Sequence, residues 1–547
     1  MTGIFRKWWL WGLAVVLIAA AAYAPLAAAP QAQPATRPAS RPEKVKITIS
    51  RETTYLLGPL DPDGTVNYLA AVNARLSKGV TRENNAAVLL IQVAGPRHLS
   101  PDFVRLGLKI LQLPPPPETG HYFVGLEAFE KSQAEKSGRE PVAREALRKR
   151  LAQAMEAPWS ATGHPFIDKW LKANERPLSL VAEATRRPRY YLPIVPRQRP
   201  PHLLAARAPT LASGEISRAL AARAMLKAGA GDTTSAREDL MALHRWARLV
   251  AQLPSTGDRI RACWLETHAC RAAIALARGR RLTGVQAKRH LADLQGLPPL
   301  PRYVKPVDEF ERLRELEIAA LLIRKGPRAF MGIKDPGAQG DDRTLVDGDL
   351  LLRTINVWYD RYVEALRKPT FPERKAALVA LRLDLKKLEQ RLRTTYVPTD
   401  PKADSGDLYL TGMKALGRAK GRSPREISRG FAEFLVILWL GGDLLSRMPA
   451  FVDRHAMESR LAQVCLALAV HRAEKGGYPA ELSALKPRYL KTIPKDLFTE
   501  KRLKYGCVGK GYLLYSVGEN MKDDGGRNNE GEKDRKEKFD DIAARAK

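Results

Sequence analysis

Two acidic clusters in the long middle of the chain are spaced closely enough to do chemistry. Asp341-Asp342, Asp347 and Asp349 offer the hard oxygen ligands that calcium takes. They lack the alternating ligand positions and central glycine of an EF-hand loop, so a solvated acidic turn is expected. Glu309, Glu311, Glu315 and Glu317 stand on one helix, where paired carboxylates could share acid and base roles. With Arg312 and Arg314 between them, they are expected to form surface ion pairs instead. The nine histidines are scattered. His268 is turned roughly 140° around its helix from Cys263, so no zinc site is assigned there. Cys263 and Cys270 are separated by roughly 10.5 Å of helical rise, beyond disulfide reach; both are expected in the core. No His-Glu-x-x-His, Gly-x-Ser-x-Gly, P-loop or Gly-x-Gly-x-x-Gly pattern occurs. No catalytic or cofactor-binding residue is therefore assigned.

The elements that would position these residues are mostly helical. A chain of 547 residues with 45% apolar content has enough material for two or more cores. From 45 to 430 a helical body is expected, of two subdomains by its length. Leu240, Leu243, Ala247 and Val250, then Ile260, Cys263, Trp264, Cys270 and Ile274, recur at helical spacing. One strand is expected at Val45–Ile49, and exposed loops at 326–349 and 398–407, which are polar and glycine-rich. The body shows helix-hairpin rhythm but no 34-residue period, so no repeat family is assigned.

The C-terminal stretch has a different pattern. Leu461, Val464, Cys465, Leu468 and Ala469 make one apolar helical stripe that must be buried. Leu503–Tyr505 and Tyr512–Ser516, joined through Gly506 and Gly509, read as a hairpin that covers it. The order of turns also matters: Tyr478-Pro479, Ile493-Pro494-Lys495-Asp496, Gly511-Tyr512-Leu513-Leu514-Tyr515-Ser516-Val517-Gly518, Asp523-Asp524-Gly525-Gly526 and Asp540-Asp541-Ile542. That succession, over about 455–542, resembles the globular part of the type II secretion major pseudopilin. The fold class expected is thus mainly α, a multi-helix body with a small C-terminal α+β domain at 431–518. Within it, 431–440 is expected as a buried core helix, despite an echo of a prepilin processing site at Gly430-Phe431. The resemblance implies calcium, held at Asn520, Asp523, Asp524, Asp540 and Asp541. Asn520 stands where the family has an aspartate, and the mixed-charge insert Arg527–Lys538 separates the two halves of the site. Residues 519–547 carry nine acids against eight bases with few large apolar side chains, so a charged, disordered tail is the alternative. Cys465 and Cys507 meet only if the tail folds as the resemblance implies.

Net charge is +32, which raises anionic partners. The bases are spread along the chain, densest at Arg186-Arg187-Pro188-Arg189 with Arg197 and Arg199, and from Lys414 to Arg429. Solvated helix faces account for that spread, and no nucleic-acid-binding motif accompanies it. Arg6-Lys7 before the apolar run Trp8–Ala29 reads as an export signal or a membrane anchor at 1–29, followed by a proline-rich linker at 30–44. Together these features point to a non-enzymatic structural or protein-interaction protein of the cell envelope, with an envelope protein as partner and an extracytoplasmic location. The alternatives are an extracytoplasmic hydrolase or lyase using carboxylates of the helical body in a deep cleft, and a basic scaffold for anionic polymer or lipid.

Overall fold

The computed structural model describes residues 47–196, 203, 208–279, 281–330, 345–396, 422–440, 443–528 and 539–546. The chain is mainly α, with a small antiparallel sheet near its C-terminus. The expected export or anchor segment (1–29), the linker (30–44), the 398–407 loop, Asp341-Asp342, and Arg197, Arg199 and Lys414 of the basic clusters lie outside the described residues. Among the described residues no helix is long and apolar enough to cross a membrane. That corrects the expected signal peptide and transmembrane helix, neither of which has support here.

The first core is built on four consecutive helices, α1 (Ser213–Gly229), α2 (Thr233–Val250), α3 (Thr256–Arg278) and α4 (Gly284–Gln295). Their starts are written in the sequence. Asp232 accepts from the Ser235 amide, and Ser255–Asp258 and Thr283–Gln286 form reciprocal capping boxes. Alanines keep the helices close: Ala219, Ala222, Ala236, Ala247, Ala269 and Ala273 are all buried. The end of α1 passes so near the 159 backbone that a Cβ on Gly229 would fall 1.8 Å from the Trp159 carbonyl oxygen. A buried ion pair, Arg223 to Asp239 at 2.6 Å, ties α1 to α2.

The second core gathers α5 (Arg312–Lys325), α6 (Gly348–Arg367), α7 (Phe371–Tyr396) and α8 (Pro424–Leu440). Phe431, Phe434, Leu435 and Ile437 of α8 are buried there, so 431–440 is core helix that packs with the body. Helix α3 serves both cores, with Cys263 in the second and Cys270 in the first. Ile47 and Ile49 pack against the second core without forming a strand; the Thr48 amide donates to Asp349 instead (2.9 Å). The strand expected at the start of the body is therefore absent over residues 47–49.

Helix α9 (Asp443–Lys475) packs along α3 and α4 and carries the sheet on another face. Strand β1 (Lys504–Val508) pairs with β2 (Gly511–Ser516) through a tight turn at Gly509, whose φ of +57° suits glycine. Tyr512, Leu514 and Ser516 alternate inward, and with Leu461, Val464, Cys465 and Leu468 of α9 they close the stripe. The sequence pattern stops at this hairpin, but the fold adds a strand: β3 (Ile542–Ala546) pairs with β2, placing Leu514 opposite Ala544. Residues 542–546 of the tail thus belong to the sheet.

Candidate metal centre

The turn after β2 is fixed from below by Asp496, a buried carboxylate that accepts from the amides of Phe498 (2.8 Å) and Val517 (2.9 Å). Gly518 follows with φ +70°, and a Cβ there would meet the Asp540 carbonyl at 2.4 Å. Only glycine lets the incoming β3 strand cross so closely. The crossing brings Asp540 and Asp541 against 520–526.

Asp524, Asp540 and Asp541 each present a carboxylate oxygen, and these oxygens lie within 4.8 Å of one another. Twice a calcium–oxygen distance of about 2.4 Å spans the same gap. The surrounding hydrogen bonds orient the carboxylates. Asn520 donates its amide to Asp540 Oδ2 and its side-chain Nδ2 to Asp524 Oδ2, both at 2.9 Å. Asp541 Oδ2 accepts from the amides of Asp524 (3.1 Å) and Gly526 (2.7 Å). Asp540 Oδ1 and Asp541 Oδ1 are buried with no hydrogen-bond partner. Buried carboxylate oxygens without a donor are costly, and a cation is what would satisfy them. Burial pushes both carboxyls upward, that of Asp541 to about 6, with Asp524 and Asp523 adding like charge.

Of the five sequence-predicted ligands, then, Asp524, Asp540 and Asp541 converge, and Asn520 acts as the donor that orients two of them. Asp523 turns the other way. Its carboxylate takes Lys504 Nζ (2.9 Å), Tyr515 Oη (2.8 Å) and the Gly525 amide (3.1 Å), and the Lys504 and Tyr515 contacts hold it below the usual carboxylate range. Asp523 staples the loop to the hairpin and does not face the other three.

A second cluster went unrecognised in the sequence. His244, Glu266 and Cys270 are fully buried with ligand atoms close together. His244 Nδ1 lies 3.0 Å from Glu266 Oε2, and Arg248 donates to that oxygen at 2.7 Å. Burial opposes the charge on Glu266, yet His244 and Arg248 hold its carboxyl at about 2. Burial raises the Cys270 thiol well above its ordinary value. With its carboxylate already neutralised by a guanidinium and its thiol protonated, the cluster is an ion-pair network, ill-suited to a metal. Its signal was available as paired i, i+4 positions: His244 and Arg248 on α2, Glu266 and Cys270 on α3.

The remaining candidates resolve as structure. Glu309 pairs with Arg75 (3.3 Å) and Glu311 with Arg314 (2.7 Å), but Glu315 and Glu317 are buried, which corrects the expectation of four surface pairs. Asp347 caps α6 and Asp349 pairs with Arg353. Arg187 donates to the Arg82 and Asn85 carbonyls and Arg189 to that of Lys78, so these arginines clamp backbone. All four cysteines are free; Cys465 is buried and Cys507 exposed. Comparison with known proteins finds no matching family model, no matching curated protein and no matching solved structure.

Proposed function

We propose that this is a non-enzymatic structural or protein-interaction protein of the cell envelope, whose pseudopilin-like C-terminal module is held together by calcium. One observation carries the calcium: Asp524, Asp540 and Asp541 converge within 4.8 Å, with two buried oxygens left without donors. Calcium would bind these carboxylates, with backbone oxygens or water completing its shell, and would supply charge neutralisation. The chain's own contribution is to bring β3 onto β2, orient two carboxylates through Asn520, and keep Asp523 out of the cluster. Three carboxylates make a modest site, of the sort that fills at about 0.1–1 mM calcium, as in extracellular modules. That level supports an extracytoplasmic place of work.

An interaction role implies that the ordered module is the binding surface. A pull-down from envelope extracts, with the full chain as bait, tests this in 2 mM calcium and again in chelator. A partner retained in calcium and released by chelator is the expected result. Turnover of any substrate by the purified chain, or a partner held equally well in both conditions, would overturn the coupling of module to function.

A further inference from the structure

Strand β1 stands at the rim of the sheet, whose order is β1-β2-β3. Among the described residues its backbone, 504–508, hydrogen-bonds to β2 alone. In an antiparallel ladder alternate residues turn both N–H and C=O away from their partner, so the outer side of β1 carries a row of unpaired donors and acceptors. Side chains leave that row open. Tyr505 Oη and Cys507 Sγ both donate to the Pro479 carbonyl, at 2.7 and 3.4 Å. A Cβ on Gly506 would meet nothing within 4 Å. Lys504 is held by Asp523 of the following loop at 2.9 Å. A proline or a bulge commonly guards such an edge; residues 504–508 have neither, and their register with β2 runs unbroken.

Bases stand at both ends of this edge. Just before β1, Lys495 and Arg502 face each other in an isolated bridge, with Lys501 beside them. Just after it comes Lys510, in the turn to β2. All four are exposed, and among the described residues none of their side chains makes an ion pair or hydrogen bond. Of the neighbouring acids, Asp496 is buried on the amides of Phe498 and Val517, and Asp523 is taken by Lys504. That leaves the exposed Glu500 against Lys495, Lys501 and Arg502. We propose that β1 takes an extended acidic segment of a partner protein as a fourth strand, its acids set beside those three bases. The proposal rests on the reading of the module as a binding surface. Backbone pairing supplies affinity, and the flanking charge selects the partner. From Arg502 to Val508 the edge runs about 20 Å, which a segment of about seven residues fills. The edge favours a peptide over a membrane, since lipid head groups would meet the bases but have no backbone to pair with 504–508.

Fluorescence anisotropy of the purified full chain in 2 mM calcium tests this without any cell extract. The probes are labelled peptides with Asp-Glu-Asp at one end and Thr-Val-Thr-Val at the other, in both orders, one for each strand direction. One order should bind saturably, and hydrogen exchange should show amides of 504–508 newly protected. N-methylation of alternate peptide amides keeps the charge and removes the pairing donors, and should weaken binding at least tenfold. Lys501→Glu combined with Arg502→Glu should do the same with the melting midpoint unchanged, and Lys495→Glu alone should weaken binding if that pair disturbs the fold. No saturable binding, equal binding of the N-methylated peptide, or binding without protection of 504–508 would refute the docked strand. Sedimentation with phosphatidylglycerol vesicles by a chain that ignores both peptides would assign the bases to lipid instead. A pull-down partner held equally by the charge-reversed variant would overturn the edge while leaving the module's interaction role intact.

Discussion

At the scale of single residues, charge burial decides what each carboxylate does. Asp524, Asp540 and Asp541 crowd three like charges into one site, and such charges repel unless a cation intervenes. Asp524→Asn should therefore leave the calcium-free protein as stable or slightly more so, while removing most of any gain from calcium. Melts of variant and parent in calcium and in chelator read both effects. Glu315 poses a different problem. Burial pushes its carboxyl from an ordinary 4.5 up to about 8, against the pull of Tyr359 and Arg314. The folded state thus keeps this proton where the unfolded chain has lost it. The contribution to stability is full below pH 4.5 and is lost as pH rises towards 8. Glu315→Gln should match the parent near pH 4 and exceed it by about 3 kcal/mol at pH 7, measured by denaturant unfolding at both values. Glu266 has the opposite environment, being buried and paired with His244 and Arg248. Glu266→Gln breaks a buried pair and should cost about 3–5 kcal/mol, read by the same unfolding assay.

At the scale of elements, the C-terminal module rests on one helix stripe and one inward strand face. Leu514 is fully buried between α9 and the Ala544 position of β3, and Leu514→Ala should cost about 2–5 kcal/mol, seen as a lower unfolding midpoint. The stripe Leu461–Leu468 and the alternation Tyr512–Leu514–Ser516 were legible because both are local periodicities with large apolar side chains. Strand β3 was not. Ile-Ala-Ala-Arg-Ala carries little apolar bulk, and it follows an acidic stretch whose composition reads as a solvated tail. What orders it is non-local: the free edge of β2 offers a row of unpaired backbone groups. Composition cannot register that edge. The divided roles of Asp523 and Asp524 were equally hidden, because the partners that turn Asp523 away, Lys504 and Tyr515, lie about 8 to 19 positions upstream across the hairpin. The tight crossing at Gly518 shows only once Asp540 lies against it.

At the scale of the whole molecule, two helical cores share α3, and α9 joins the first of them to the sheet. The module is therefore continuous with the body, and tightening its metal loop should stabilise more than the loop itself. Some of the 91 lysines and arginines serve structure, as backbone clamps such as Arg187 and Arg189 and in buried pairs such as Arg223–Asp239, so a basic residue in this chain does not by itself mark a nucleic-acid surface. The central claim is that the carboxylates of 524, 540 and 541 hold calcium. Thermal unfolding of the full chain in 5 mM calcium, 5 mM magnesium and chelator tests it most directly. A site filled well above its dissociation constant stabilises by about 1–3 kcal/mol. Calcium alone should therefore raise the midpoint by roughly 1–3 °C, and Asp540→Asn combined with Asp541→Asn should abolish the rise. An identical midpoint in all three solutions, or the same rise in the double variant, would contradict it.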